Sequence, residues 1–142
     1  MHNKVAHTLA RAFLRLGFSA LRFNFRGTEG SEGSYDNGEG ELDDALAALA
    51  WMRDSNPALP IWLAGFSFGA AIAVKAAAVR DVDGLVQGDL DELVDIDETV
   101  AWVDNLEPGP ELLIVPGGEH FFHGRLVELR DAVVEFVERS QA

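Results

Sequence analysis

The chain contains no cysteine. Disulfides, thiolate-held zinc, iron–sulfur clusters and a cysteine nucleophile are therefore excluded, and the absence fits a reducing compartment. Basic residues are scarce too: 11 Lys+Arg stand against 24 Asp+Glu, a formal net charge of −13 at pH 7. Neutralising phosphates takes clustered Lys and Arg, so a nucleic-acid partner is not expected. No apolar run approaches the roughly 20 residues of a membrane span. Met1-His2-Asn3-Lys4 opens the sequence without an apolar signal core. These absences point to a soluble, cytoplasmic protein that engages neither nucleic acid nor membrane. With 48% hydrophobic and 25% charged residues, the composition is that of a globular chain and not of a disordered one. The 142 residues are expected to form one domain, 1–142, large enough to bury roughly 70% of its unfolded surface.

The charge is unevenly spread. Residues 1–26 hold five bases and no acid, whereas residues 81–119 hold twelve acids and no base. Such a run is ordinarily a solvated face.

Apolar periodicity and turn residues divide the chain into alternating helices and strands. Asn3 is placed to cap a helix whose stripe is Val5, Leu9, Phe13 and Leu16, ending at Gly17. Residues 18–25 are rich in β-formers and read as a strand. Five glycines between 26 and 40 mark a long loop. A helix is expected over 41–53, with Leu42, Leu46, Leu49 and Met52 on one face. Residues 61–66 form a wholly apolar run that suits a strand buried on both faces of a parallel sheet. An alanine-rich helix over 68–80 follows, then a short apolar stub at 85–87 and an acidic loop over 88–97. A helix over 98–106 capped by Asp97, a strand over 111–116 and a last helix over 125–139 complete the chain. This alternation predicts a three-layer α/β/α architecture around a mostly parallel sheet.

Gly65-Phe66-Ser67-Phe68-Gly69 matches G-x-S-x-G, with an expected strand before it and a helix after it. At such an elbow the serine Oγ projects above the strand's carboxyl end, and the flanking glycines leave room for the turn and for the helix. The helix N-terminus directs N–H groups at a developing oxyanion. A nucleophilic Ser67 needs a base and an orienting carboxylate, in chain order Ser, Asp/Glu, His. Only His120 and His123 follow Ser67. His120 is favoured, because Gly117-Gly118-Glu119-His120 leaves the carboxyl end of the 111–116 strand, the sheet edge at which the elbow emerges. For the carboxylate, spacing alone leaves both Asp89 and Asp91 open after the 85–87 stub.

Four blocks in succession resemble signatures of the α/β-hydrolase superfamily. They are Phe23-Asn24-Phe25-Arg26-Gly27-Thr28-Glu29-Gly30-Ser31, then Gly65 to Gly69, then Gln87-Gly88-Asp89-Leu90-Asp91-Glu92, then Gly118-Glu119-His120-Phe121-Phe122. The resemblance spans nearly the whole chain and is greatest to small bacterial hydrolases related to dienelactone hydrolases and serine aminopeptidases. It implies a reduced α/β-hydrolase fold, with Ser67 as nucleophile, Asp91 as the acid in a G-x-x-D-x-x-V turn and His120 as the base. Arg26 and Gly27 would be the turn that lines the mouth of the site. The Phe68 amide would be the oxyanion donor. Against that family pattern the chain lacks an N-terminal strand with its His- and Gly-rich oxyanion loop, and a strand between Arg80 and Val86. Both would flank the 61–66 strand, whose backbone groups cannot stay unpaired when buried. Three outcomes are open: the remaining strands close into a sheet of four, another chain fills the gaps, or the chain folds poorly.

The expected function is a serine hydrolase that takes a small-molecule ester, thioester or amide through an acyl-enzyme. The alternative is a non-catalytic remnant that serves as an interaction module or folds only with a partner chain. A homo-oligomer is one way to cover the exposed sheet edges. No cofactor and no metal are expected: Gly38-Glu39-Gly40 is no G-x-G-x-x-G, the acids over 89–97 lack EF-hand spacing, and His120-x-x-His123 lacks a third ligand. Phe66, Phe68, Phe121 and Phe122 fit an apolar acyl pocket or ordinary core packing, and Trp51, Trp62 and Trp102 read as core or pocket rings.

Overall fold

The fold was obtained as a computed structural model, which describes residues 4–65, 68–88, 96–105, 111–115 and 126–141. In chain order its elements are α1 (Lys4–Arg15), α2 (Glu39–Ser55), β1 (Trp62–Ala64), α3 (Phe68–Val79), β2 (Gly84–Gly88), α4 (Ile96–Asp104), β3 (Glu111–Val115) and α5 (Leu126–Ser140). The strands are ordered β1-β2-β3, and both pairings are parallel.

The expected stripe of α1 buries Val5, Leu9, Ala12 and Phe13. Gly17, at φ +88°, ends the helix. Its N–H donates to Leu14 O and the Phe18 N–H donates to Phe13 O, each at 3.0 Å. This is the Schellman pattern, which needs a left-handed residue and therefore favours glycine. The apolar contact that accompanies the pattern is present too, with the Phe13 and Phe18 rings edge-on at 5.4 Å.

Leu85 and Val86 of β2 are fully buried. Because side chains alternate along a strand, they serve opposite faces of the sheet. Val86 joins the cluster that α1 and α5 build from Val5, Leu9, Phe13, Leu129, Val133 and Val137. On the other face α3 packs against β1 and β2, with α2 against α3, and Ile72, Ala73 and Ala76 are buried there. Helices on both faces of a parallel sheet give the expected three layers.

Several expectations change. Residues 18–25 do not join the sheet. Among the described residues the backbone groups of 19–23 make no hydrogen bond, because a cleft of about 650 Å³ separates this segment from β1. The described sheet therefore has three strands and not four. The stub at 85–87 turns out to be the middle strand, pairing Leu63 with Leu85 and Leu85 with Leu112. One edge of β1 is thus satisfied directly, although its strand is only three residues long and Ala64 is exposed. Asp97 lies inside α4 and does not cap it. Trp51 is 61% exposed, so it is no core ring, whereas Trp62 packs against Phe13 and Phe136. Asn3, the expected cap of α1, lies outside the described residues. None of the described helices is long and apolar enough to cross a membrane.

Replacing fully buried Leu129 by Ala should cost about 2–5 kcal/mol. Trp51→Ala, at an exposed position, should stay within about 0.5 kcal/mol. Urea unfolding of both variants beside the parent checks the contrast.

Candidate functional site

Parallel strands send their carboxyl ends to one edge of a sheet. Here β1 ends at Ala64, β2 at Gly88 and β3 at Val115, with Ala64 in register with Val86 and Gly88 with Val115. The segments that carry Ser67, Asp91 and His120 leave the sheet at these three points. Ser67, Asp91 and His120 themselves lie outside the described residues, as do Asp89, His123, Phe66, Phe121 and Phe122. What the structure describes is the frame around them.

The tightest part of that frame is the turn from β1 into α3. The Gly65 N–H donates to Val86 O at 3.1 Å, which anchors the turn to the middle strand. A Cβ on Gly65 would lie 2.5 Å from Gly69 O and 2.6 Å from Ala70 N. Backbone against backbone cannot yield, so glycine is required where the helix crosses back over the strand. Gly69 was expected to matter in the same way but does not. A Cβ there meets no heavy atom of the described residues within 4 Å, because Gly69 borders the open cleft. Phe68 opens α3, and the first N–H groups of a helix have no partner inside it.

Phe68 is gripped by two further rings. Phe25 meets it edge-on at 5.5 Å and Tyr35 at 5.8 Å. Tyr35 is itself 65% exposed, so its ring flanks the elbow from the solvent side. Both rings belong to a segment held down by ionic contacts. The Arg26 guanidinium donates to Asp44 through Nε at 3.1 Å and Nη2 at 2.8 Å, and the Arg26 backbone N–H adds a third bond at 3.0 Å. This two-pronged geometry is what arginine offers and lysine does not.

At the far end of the loop, buried Glu41 accepts the Asp36 N–H at 2.6 Å and the Gly38 N–H at 2.8 Å. Glu41 thereby reaches back from the first turn of α2 to its cap residue, half of a capping box whose other half glycine cannot supply. Burial pushes the Glu41 carboxyl up, but these N–H donors outweigh it and leave its pKa below the ordinary value. Asp44 is also lowered, chiefly by the Arg26 side-chain hydrogen bond against an opposing effect of burial, and Arg26 is raised by the same bond. The sequence reading had noticed Arg26 but not its partners. The readable signal was Gly38 followed three residues later by Glu41 at the start of an amphipathic run. Among the described residues no group of three or more His, Asp or Glu side chains could hold a metal.

Residues 1–87 match the family model of the alpha/beta hydrolase fold. This chain belongs to the α/β-hydrolase fold family. It is similar to an α/β serine hydrolase homologue from Coxiella burnetii at 41% identity and a TM-score of 0.74, covering 95% of this chain and 76% of the other. An α/β serine hydrolase without a lid from Xanthomonas campestris is 40% identical with a TM-score of 0.76, over 98% of this chain and 74% of that one. About a quarter of each of these relatives has no counterpart here. An uncharacterised protein of Rickettsia prowazekii is 47% identical over 81 residues, which are 56% of this chain but 34% of that protein. The chain thus spans about a third of that curated relative. Within the α/β-hydrolase fold, the described frame is the elbow between β1 and α3 together with the loop that carries Phe25 and Tyr35.

Two outcomes follow. Gly65→Ala should destabilise the protein by about 1–3 kcal/mol through the backbone clash. Gly69→Ala should be neutral, or stabilising by up to about 1 kcal/mol, since alanine is the better helix former; chemical denaturation measures both. Because Glu41 and Asp44 have lowered folded-state values, their contribution is complete above the ordinary carboxyl pKa of about 4 and is lost as pH falls through the lower folded values. The melting temperature of the parent should therefore drop steeply below about pH 4, and Glu41→Gln with Asp44→Asn should flatten that limb while lowering stability at neutral pH.

Proposed function

We propose that this chain is a serine hydrolase acting on small-molecule esters, thioesters or amides, built on one domain of residues 1–142 and working in the cytoplasm. The observation that carries the reading is the β1-to-α3 turn. It forces glycine at Gly65 and opens α3 at Phe68, the described residues on either side of Ser67 in the sequence, at the sheet edge where β2 and β3 also end. In this reading Ser67 Oγ attacks the carbonyl carbon while its proton passes to His120, and Asp91 keeps the imidazole in the right tautomer. The Phe68 N–H receives the negative charge that develops on the carbonyl oxygen. Collapse expels the alcohol, thiol or amine with the proton from His120. Water, losing a proton to His120, then attacks the acyl group, and collapse releases the acid as His120 returns that proton to Ser67 Oγ. The rings of Phe25 and Phe68 favour an apolar acyl group beside the nucleophile.

One observation favours the alternative, a non-catalytic module that needs a partner. The edge of β1 that faces the cleft is unpaired among the described residues. A fluorophosphonate probe separates the readings. The proposal expects labelling of the parent, none with Ser67→Ala, and labelling at least about 10³-fold slower with His120→Ala. A soluble, folded chain that takes no label overturns it.

A further inference from the structure

Tyr35 is 65% exposed, yet its backbone is fixed on both flanks. The Gly27 N–H donates to Glu32 O at 3.1 Å and folds the loop back on itself. Where the two arms cross, a Cβ on Gly27 would lie 2.9 Å from Ser34 Cα and 3.2 Å from Tyr35 N. Gly27 also holds φ at +72°, so the approach admits only glycine. On the other flank, buried Glu41 accepts the Asp36 N–H at 2.6 Å. The position of the ring is thus set by its backbone and not by burial of the ring itself.

Tyr35 is also the outermost member of a row of rings. Phe23 meets Phe25 at 5.2 Å, Phe25 meets Phe68 at 5.5 Å and Phe68 meets Tyr35 at 5.8 Å, each pair edge-on. The first three rings belong to half-buried residues, and the last stands in solvent. Phe68 opens α3 just after the turn at Gly65, so the row ends beside the candidate site. Among the described residues Phe68 is the one ring partner of Tyr35. Aromatic rings pack best edge-on or offset, and a ring supplied by a ligand on the open side of Tyr35 would extend the row. A tyrosine on a preset backbone also gives up little conformational freedom when it binds.

We propose that Tyr35 is a specificity-determining residue for the leaving group, and that it selects esters whose alcohol or phenol carries an aromatic ring. This inference rests on the serine-hydrolase reading. In that reaction the acyl group stays bonded to Ser67 through the second step, whereas the alcohol departs to solvent after the first. A ring that borders solvent beside the elbow therefore serves the part that leaves. The Tyr35 ring packs against the aromatic group and takes no part in proton transfer. The leaving oxygen still receives its proton from His120.

The test compares two phosphonates with the same alkyl chain, one losing fluoride and the other 4-nitrophenoxide. In both, Ser67 Oγ bonds to phosphorus as the leaving group departs, so only the leaving group differs. The readout is the ratio of the 4-nitrophenyl labelling rate to the fluoride labelling rate. Tyr35→Ala should lower this ratio about 3–10-fold, while Tyr35→Phe, which keeps the ring, should hold it at the parent value. The preference of kcat/KM for benzyl acetate over cyclohexylmethyl acetate should fall in parallel, carried by KM. Tyr35→Leu keeps apolar bulk without a ring and should behave as Tyr35→Ala does; it takes that variant's place if circular dichroism shows Tyr35→Ala unfolded. A ratio that does not change in a folded variant overturns the proposal, because Tyr35 would then act on the elbow or not at all. Equal losses for the benzyl and cyclohexylmethyl esters overturn it too, since bulk and not aromaticity would be read. If neither phosphonate labels the folded parent, the hydrolase reading fails and this inference falls with it, a result distinct from labelling by both with an unmoved ratio.

Discussion

Leu85 and Val86 are withdrawn from water on opposite faces of one strand, and the other layers are placed by what covers them. Each such side chain contributes about 1.5–3 kcal/mol when buried, but only if both faces of β2 are roofed. α1 and α5 roof the Val86 face, and α3 with α2 behind it lies on the other. Parallel pairing adds a second demand, since parallel strands need crossover connections, which carry the helices to the faces. The same directionality sends Gly65, Gly88 and Val115 to one edge. The sheet that stabilises the fold thus also gathers the segments from which a site would be made.

The middle strand satisfies β1 on one edge only. On the far edge the chain continues as residues 18–25, set apart by the cleft, yet the segment is not adrift. Arg26 is fixed to Asp44 by three hydrogen bonds, and Glu41 ties the end of the following loop to the first turn of α2. These contacts hold the segment's carboxyl end against the elbow, where Phe25 and Tyr35 grip Phe68. The segment is therefore located by ionic and aromatic contacts at one end and by the Schellman turn of α1 at the other. Among the described residues no hydrogen-bond ladder lies between the two.

The first helix was the most legible, because it shows its buried stripe at helical spacing. Periodicity alone places Val5, Leu9 and Phe13 of α1 inward, and all three are buried. The turn from β1 into α3 was legible for a different reason: Gly65 lies between an apolar run and an alanine-rich helix, where the backbone leaves no room for a Cβ. Strands were harder. Residues 18–25 have strand composition but no ladder, since pairing depends on a neighbour that composition does not reveal. Residues 85–87 looked like a stub and form the centre of the sheet, because burial on both faces makes a short strand sufficient. Glu41 was read as an ordinary helix residue, although its carboxylate is buried against two backbone N–H groups. The spacing of Gly38 and Glu41 hints at the bond to the cap, but the bond to the Asp36 N–H follows from the loop's path.

By itself the sequence determined the order of the helices, the passage from strand to helix after Gly65 and the family to which the chain belongs. These rest on local spacing, which does not depend on distant segments. Only the tertiary structure decided which strands are neighbours. It paired β1 with β2 and set residues 18–25 apart from β1 across the cleft, because pairing is decided between segments and not by the composition of either. The carboxyl-terminal ends of three strands meet at one edge for the same reason: direction and register are set between strands, not within them.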